Sequence, residues 1–85
     1  MHYVYIIQST KSGGFYIGST KDVIKRLKEH NKNTTRSTRH KGPWSLVLQE
    51  EFDTKCEAIK REHYLKGLKG NSVFKRLLIN SVPIV

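Results

Sequence analysis

The chain is predicted to fold as an α+β structure with element order β-β-α-β-α-α. Two observations carry that expectation. Two short runs rich in Tyr, Val and Ile flank a glycine turn near the start. Later segments show helix-start chemistry followed by apolar residues at helical spacing.

Residues 2–8 read as a strand because β-branched and aromatic side chains suit a pleated, half-buried surface. Ser12-Gly13-Gly14 supplies turn chemistry, and residues 15–18 return as a second strand. So short a connection makes the pair antiparallel. Alternation puts Val4 and Ile6 on one face and Tyr3, Tyr5 and Ile7 on the other. In the second strand Phe15 and Ile17 oppose Tyr16 and Gly18. Joining the aliphatic faces leaves Tyr5 beside Tyr16.

Residues 22–31 read as a helix with Asp22 or Thr20 as N-cap. Residues 31–43 are polar and basic, end in Gly42-Pro43, and read as a loop. Ser45 to Phe52 is expected as a third strand, with Leu46, Leu48 and Phe52 related by period two. Thr54 to Glu57 fits a capping box opening a helix to about Lys69. Gly70 suits its end, with Lys66 and Lys69 in the last turn. Asn71 or Ser72 can cap a final helix carrying Val73, Phe74, Leu77 and Leu78.

Eighty-five residues predict one domain, 1–85, near the lower size limit for a single hydrophobic core. Cys56 is the sole cysteine, so no internal disulfide forms and a reducing cytoplasm is expected. No apolar run approaches the roughly 20 residues of a membrane span, and no basic-then-apolar leader is visible. The formal net charge is +9. Between Lys21 and Lys41, eight basic residues face only Asp22 and Glu29. That concentration predicts a polyanionic partner, with Lys25, Lys28, Lys32, Arg36, Arg39 and Lys41 as candidate nucleic-acid contacts. The histidines and the cysteine lack zinc-ligand spacing, and no GxxxxGK[ST] loop is present. A Cys-His nucleophile pair is poorly supported, because Cys56 falls in an exposed first helical turn.

Several residues sit where ordinary patterning does not require them. Tyr5 and Tyr16 are explained by packing alone, yet Gly18 after Tyr16 would also let a ligand approach. Glu62 lies within the apolar stripe running through Ala58, Leu65 and the stem of Lys69. A carboxylate there needs a cation or donors. That cation is either a neighbouring basic side chain or a hard divalent ion such as Mg²⁺, which accepts one carboxylate plus water and phosphate oxygens. Arg26 shares a side of the first helix with Val23 and His30. An arginine there can grip a phosphate through two hydrogen bonds, or merely lay its stem on the core edge. His30 can exchange a proton near neutrality or serve as a structural residue.

Together these residues resemble the GIY-YIG nuclease domain family, specifically its small stand-alone bacterial members. Tyr3-Val4-Tyr5 and Tyr16-Ile17-Gly18 stand as the half-motifs, with Tyr3-Val4 in place of Gly-Ile. The segment from Asp22 to Leu27 with His30-Asn31 looks like the first family helix. Pro43-Trp44 and Lys60-Arg61-Glu62 resemble the later blocks, so the resemblance spans about residues 2–79. It implies a small three-stranded antiparallel sheet packed with helices. It also implies Tyr5, Tyr16, Arg26, His30 and Glu62 as catalytic residues, with Glu62 holding one Mg²⁺ or Mn²⁺. The later family asparagine corresponds to Asn71 or Asn80.

The expected function is therefore metal-dependent endonucleolytic hydrolysis of nucleic acid, foremost DNA in repair or recombination. A tyrosine, foremost Tyr5, would deprotonate or orient the attacking water. The alternative is a basic binding module that keeps the fold and cleaves little. No base-reading motif is visible, so sequence specificity would need a protein partner.

Overall fold

The structure is a computed structural model that describes residues 1–32, 41–69 and 71–79. Its elements are β1 (His2–Ser9), β2 (Phe15–Thr20), α1 (Val23–Asn31), β3 (Trp44–Phe52), α2 (Lys55–Leu68) and α3 (Ser72–Ile79). The predicted contacts Arg36 and Arg39, the helix-ending Gly70 and Asn80 lie outside the described residues. The strands form one antiparallel sheet in the order β2-β1-β3, as the α+β expectation requires.

The central strand β1 is covered on both faces, and Val4 through Ile7 are buried without a break. On one face Val4, Ile6 and Ile17 pack with Ala58 and Leu65 of α2 and Phe74 of α3. On the other, Tyr5 and Ile7 pack with Val23 and Leu27 of α1 and with Trp44 and Leu46. The alternation read from the sequence thus separates two small cores, and the tyrosines belong to the α1 side.

The β1–β2 turn is held by Gly13 at φ 78° and by the buried Ser9 hydroxyl. Ser9 Oγ accepts from the backbone N–H groups of Lys11 and Ser12 and donates to the Lys41 carbonyl at 2.6 Å. It therefore ties the hairpin to the segment entering β3. Asp22 is the N-cap of α1, accepting from Lys25 N–H at 3.0 Å, while Thr20 bonds the Asp22 N–H. Thr54 accepts from Glu57 N–H and its hydroxyl meets the Glu57 carboxylate, as the capping sequence predicts. Asn71 rather than Ser72 caps α3, its side chain accepting from Val73 N–H at 2.9 Å.

Three local expectations are corrected. Leu46 and Leu48 do not share a face, because the β1–β3 register shifts between Ile6 and Ile7. Leu46 therefore enters the α1-side core, while Val47, Leu48 and Phe52 pack on the other. The strand also begins at Trp44, because the Asn31 side-chain amide brackets the Trp44 backbone with bonds of 2.6 and 3.2 Å. The stripe of α2 continues through Leu68, which packs on the core, whereas Lys69 is exposed.

Gly18 is explained by a neighbouring side chain rather than by a ligand. A Cβ there would lie 2.6 Å from the Tyr5 hydroxyl and 2.8 Å from its ring carbon. Gly18→Ala is expected to lower stability by about 1–3 kcal/mol through overpacking. Gly67→Ala, which meets nothing and lies in α2, should instead raise it by about 0.5–1 kcal/mol. Urea unfolding of both variants checks the opposite signs.

Candidate active site

Strand β1 delivers Tyr5, β2 delivers Tyr16, α1 delivers Arg26 and His30, and α2 delivers Glu62. Tyr5 stands opposite Gly18 in the β1–β2 pairing, so its ring crosses the strand at the one position without a side chain. Its hydroxyl meets His30 Nε2 at 2.9 Å. The Tyr5 and Tyr16 ring centres lie 6.4 Å apart, and that of His30 is 5.8 Å from Tyr5 and 4.9 Å from Tyr16. Helical spacing accounts for this placement. Val23 and Leu27 anchor α1 to the sheet, and the same side of the helix carries Arg26 and His30 inward.

The electrostatics follow from burial. Tyr5 is 1% exposed and its pKa is pushed up to about 12, first by desolvation and then by the nearby Tyr16 and Glu62. The Arg26 guanidinium beside the phenol opposes that rise. His30 is 0% exposed, and desolvation assisted by the Arg26 charge lowers its pKa to about 4. Both groups are thus neutral near pH 7. The 2.9 Å Tyr5–His30 bond therefore joins two neutral groups, with the donor set by the imidazole tautomer.

Burial works against the Arg26 charge, but the hydrogen bond to Glu29 and the adjacent Tyr5 phenol outweigh it and raise its pKa. The guanidinium reaches Glu29 at 3.1 Å and remains partly exposed. It lines a depression of about 410 Å³ that also takes in Ser19, Thr20 and Lys21. Lys25, Lys28 and Lys32 border a second depression over the outer side of α1. Lys41 is exposed beside the hairpin turn. The basic side chains predicted on α1 therefore flank the opening beside Arg26.

Glu62 is only 15% exposed, and Lys66 one turn later meets it at 2.6 Å. The inward placement predicted from the apolar stripe is therefore accompanied by a protein cation. Among the described residues no group of three or more His, Cys, Asp or Glu could hold a metal. What the site offers is one hard, largely shielded oxygen donor that already carries a cation. Such a donor fits Mg²⁺ or Mn²⁺ retaining most of its shell as water and phosphate oxygens. The Asn71 side chain serves as the α3 cap. Glu29 and Lys66 were not among the predicted site residues, although their three- and four-residue spacings from Arg26 and Glu62 are standard helix pairings.

A family model described as the GIY-YIG catalytic domain matches residues 1–76. A UPF0213 protein of Staphylococcus saprophyticus is 46% identical over 75 residues, covering 87% of this chain and 90% of the relative. One from Clostridium perfringens is 42% identical over 85 residues, covering 99% and 88%. The solution NMR structure of a UPF0213 protein from Bacillus halodurans matches with a TM-score of 0.57 and 34% identity, covering 93% of this chain and 84% of that one.

The neutral His30 gives stability a defined pH dependence. The unfolded imidazole takes a proton below its ordinary 6.5, whereas the folded one resists until about 4. The unfolded state therefore binds more protons within that window. Stability should be full above pH 6.5 and fall by roughly 2–3 kcal/mol as pH drops to 4. Denaturant midpoints across this range should show that loss in the wild type and a flatter profile in His30→Gln.

Proposed function

Because the chain belongs to the GIY-YIG family, a family of nucleases, we propose that it is an endonuclease cutting nucleic-acid phosphodiester bonds, DNA foremost, with one divalent ion. The observation that carries this reading is the Tyr5–His30 hydrogen bond, with Arg26 and Glu62 both close enough to bias Tyr5 electrostatically. Packing explains a buried tyrosine. It does not explain why a guanidinium and an imidazole converge on its hydroxyl, with a carboxylate acting on the same group.

In the proposed reaction Arg26 grips a non-bridging phosphate oxygen and neutralises charge that grows in the transition state. Its partial exposure leaves the guanidinium within reach of substrate. Tyr5 is the most expected water-handling group, but its burial and its bond to His30 suit a positioning task better. It holds Arg26 and the Tyr16 ring in place, while the half-buried Tyr16 orients the attacking water. His30 has no exposed surface and acts through Tyr5, whose hydroxyl it holds by the 2.9 Å bond. Glu62 would hold the divalent ion, which supplies Lewis-acid stabilisation of the phosphate and leaving oxygen when bound. Lys25, Lys28 and Lys32 draw the polyanion onto α1. Repair or recombination in the cytoplasm is the proposed setting, in keeping with the exposed free thiol of Cys56. A protein partner would add sequence specificity.

One observation favours a second reading, a binding module with little cleavage. The Lys66 pair already gives Glu62 a structural role. The two readings separate on Glu62→Gln assayed on a panel of duplex, flap, branched and RNA substrates with Mg²⁺ or Mn²⁺. The nuclease reading expects cleavage that EDTA abolishes and that Glu62→Gln lowers by about 10²–10³-fold with the unfolding midpoint retained. Arg26→Ala should lose activity on the same scale. Tight, salt-dependent binding with no cleavage of any substrate would establish the binding module instead.

A further inference from the structure

A second cluster lies on the other flank of α2. Arg61 reaches across to β3 and grips Glu50 with two bonds, at 2.8 and 3.1 Å. So fixed, its guanidinium lies over the Tyr64 ring, 5.2 Å from the centroid. Tyr64 is nevertheless 54% exposed, and Val73 on α3 is 48% exposed. These are two of the four large hydrophobic residues left exposed among the described residues, and both line one groove between α2 and α3. Leu68 and Leu77 form its apolar wall, Arg61 and Arg76 supply two guanidinium groups, and its volume is about 260 Å³.

Held by Arg61 on one side, the Tyr64 ring remains half exposed toward the groove. An apolar slot bordered by guanidinium groups suits a planar ring that carries an anion. A second copy of the chain would bring the same two arginines and another +9 of charge onto the patch, which repels rather than binds. A nucleic-acid strand meets every element at once. Its bases stack on aromatic rings irrespective of sequence, and its phosphates pair with arginine.

We propose that this groove is a nucleobase-binding site, with Tyr64 as the stacking platform and Arg76 as the contact to the adjoining phosphate. Arg61 is a positioning residue that holds the Tyr64 ring. On α2, Tyr64 lies two residues beyond Glu62, on nearly the opposite side of the helix. The base captured here therefore belongs to a nucleotide other than the one whose phosphate meets Arg26. Only an unpaired base exposes a face for stacking, so the site selects strands with unpaired nucleotides. This rests on the nucleic-acid reading above and deepens it.

The test is fluorescence anisotropy with a labelled oligothymidylate and a labelled blunt hairpin duplex, in EDTA so that binding alone is read. Tyr64→Ala should weaken oligothymidylate binding about tenfold, the scale of one lost stacking contact, and duplex binding by less than about twofold. Tyr64→Trp should retain wild-type affinity, whereas Tyr64→Leu, which keeps apolar area without a stacking ring, should behave like the alanine variant. Arg76→Gln should reduce the salt dependence for oligothymidylate. Equal losses on both probes, full binding by Tyr64→Leu, or no loss in Tyr64→Ala would overturn the proposal. A concentration-dependent dimer abolished by Tyr64→Ala in sedimentation would overturn it in favour of self-association. Wild-type protein that binds neither probe would instead defeat the nucleic-acid reading itself.

Discussion

One buried hydroxyl organises this small molecule. Tyr5 stands on the central strand, where both faces of the sheet are covered, so its phenol must find polar partners inside the protein. Each neighbouring feature answers that requirement. Gly18 leaves the space the ring crosses, His30 bonds the hydroxyl, and the Arg26 charge lies close enough to act on it. The helix that brings the last two is seated by Val23 and Leu27 and pinned to β3 by Asn31. Fold and candidate site are therefore hard to separate, since the residues that would act on a phosphate also complete the α1-side core.

The arrangement also sorts the polar groups by depth. His30 and Tyr5 are innermost and neutral, with their proton affinities pushed far apart by burial. Arg26 and Tyr16 come next, partly open, and the α1 lysines are outermost. Charge increases toward solvent, as the cost of burying ions demands. Glu62 is the exception, a shielded carboxylate, and Lys66 compensates it. One such carboxylate does not make a metal cage, and under the proposed function a divalent ion would have to compete with the Lys66 ammonium for the same oxygen.

Much of this was legible in the sequence because its signals are periodic. Strand alternation placed Tyr5 with Tyr16, and helical spacing placed Arg26 with His30 and set Glu62 in the α2 stripe. Capping chemistry marked the starts of all three helices. What escaped notice depends on contacts between distant segments. The register shift that separates Leu46 from Leu48 is a pairing defect with no local signature. Gly18 was read as room for a ligand because its actual occupant, the Tyr5 ring, comes from another strand. That His30 is wholly buried follows from the packing of α1 on the sheet.

The central claim is that Tyr5 and His30 form a buried, neutral hydrogen-bonded pair beside Arg26. The nitrogen chemical shifts of the His30 imidazole, followed by NMR from pH 7 down to 3, test it most directly. The account predicts a ring that is neutral at pH 7 and protonated only near pH 4. A ring that titrates near 6.5, as an ordinary histidine does, would contradict it.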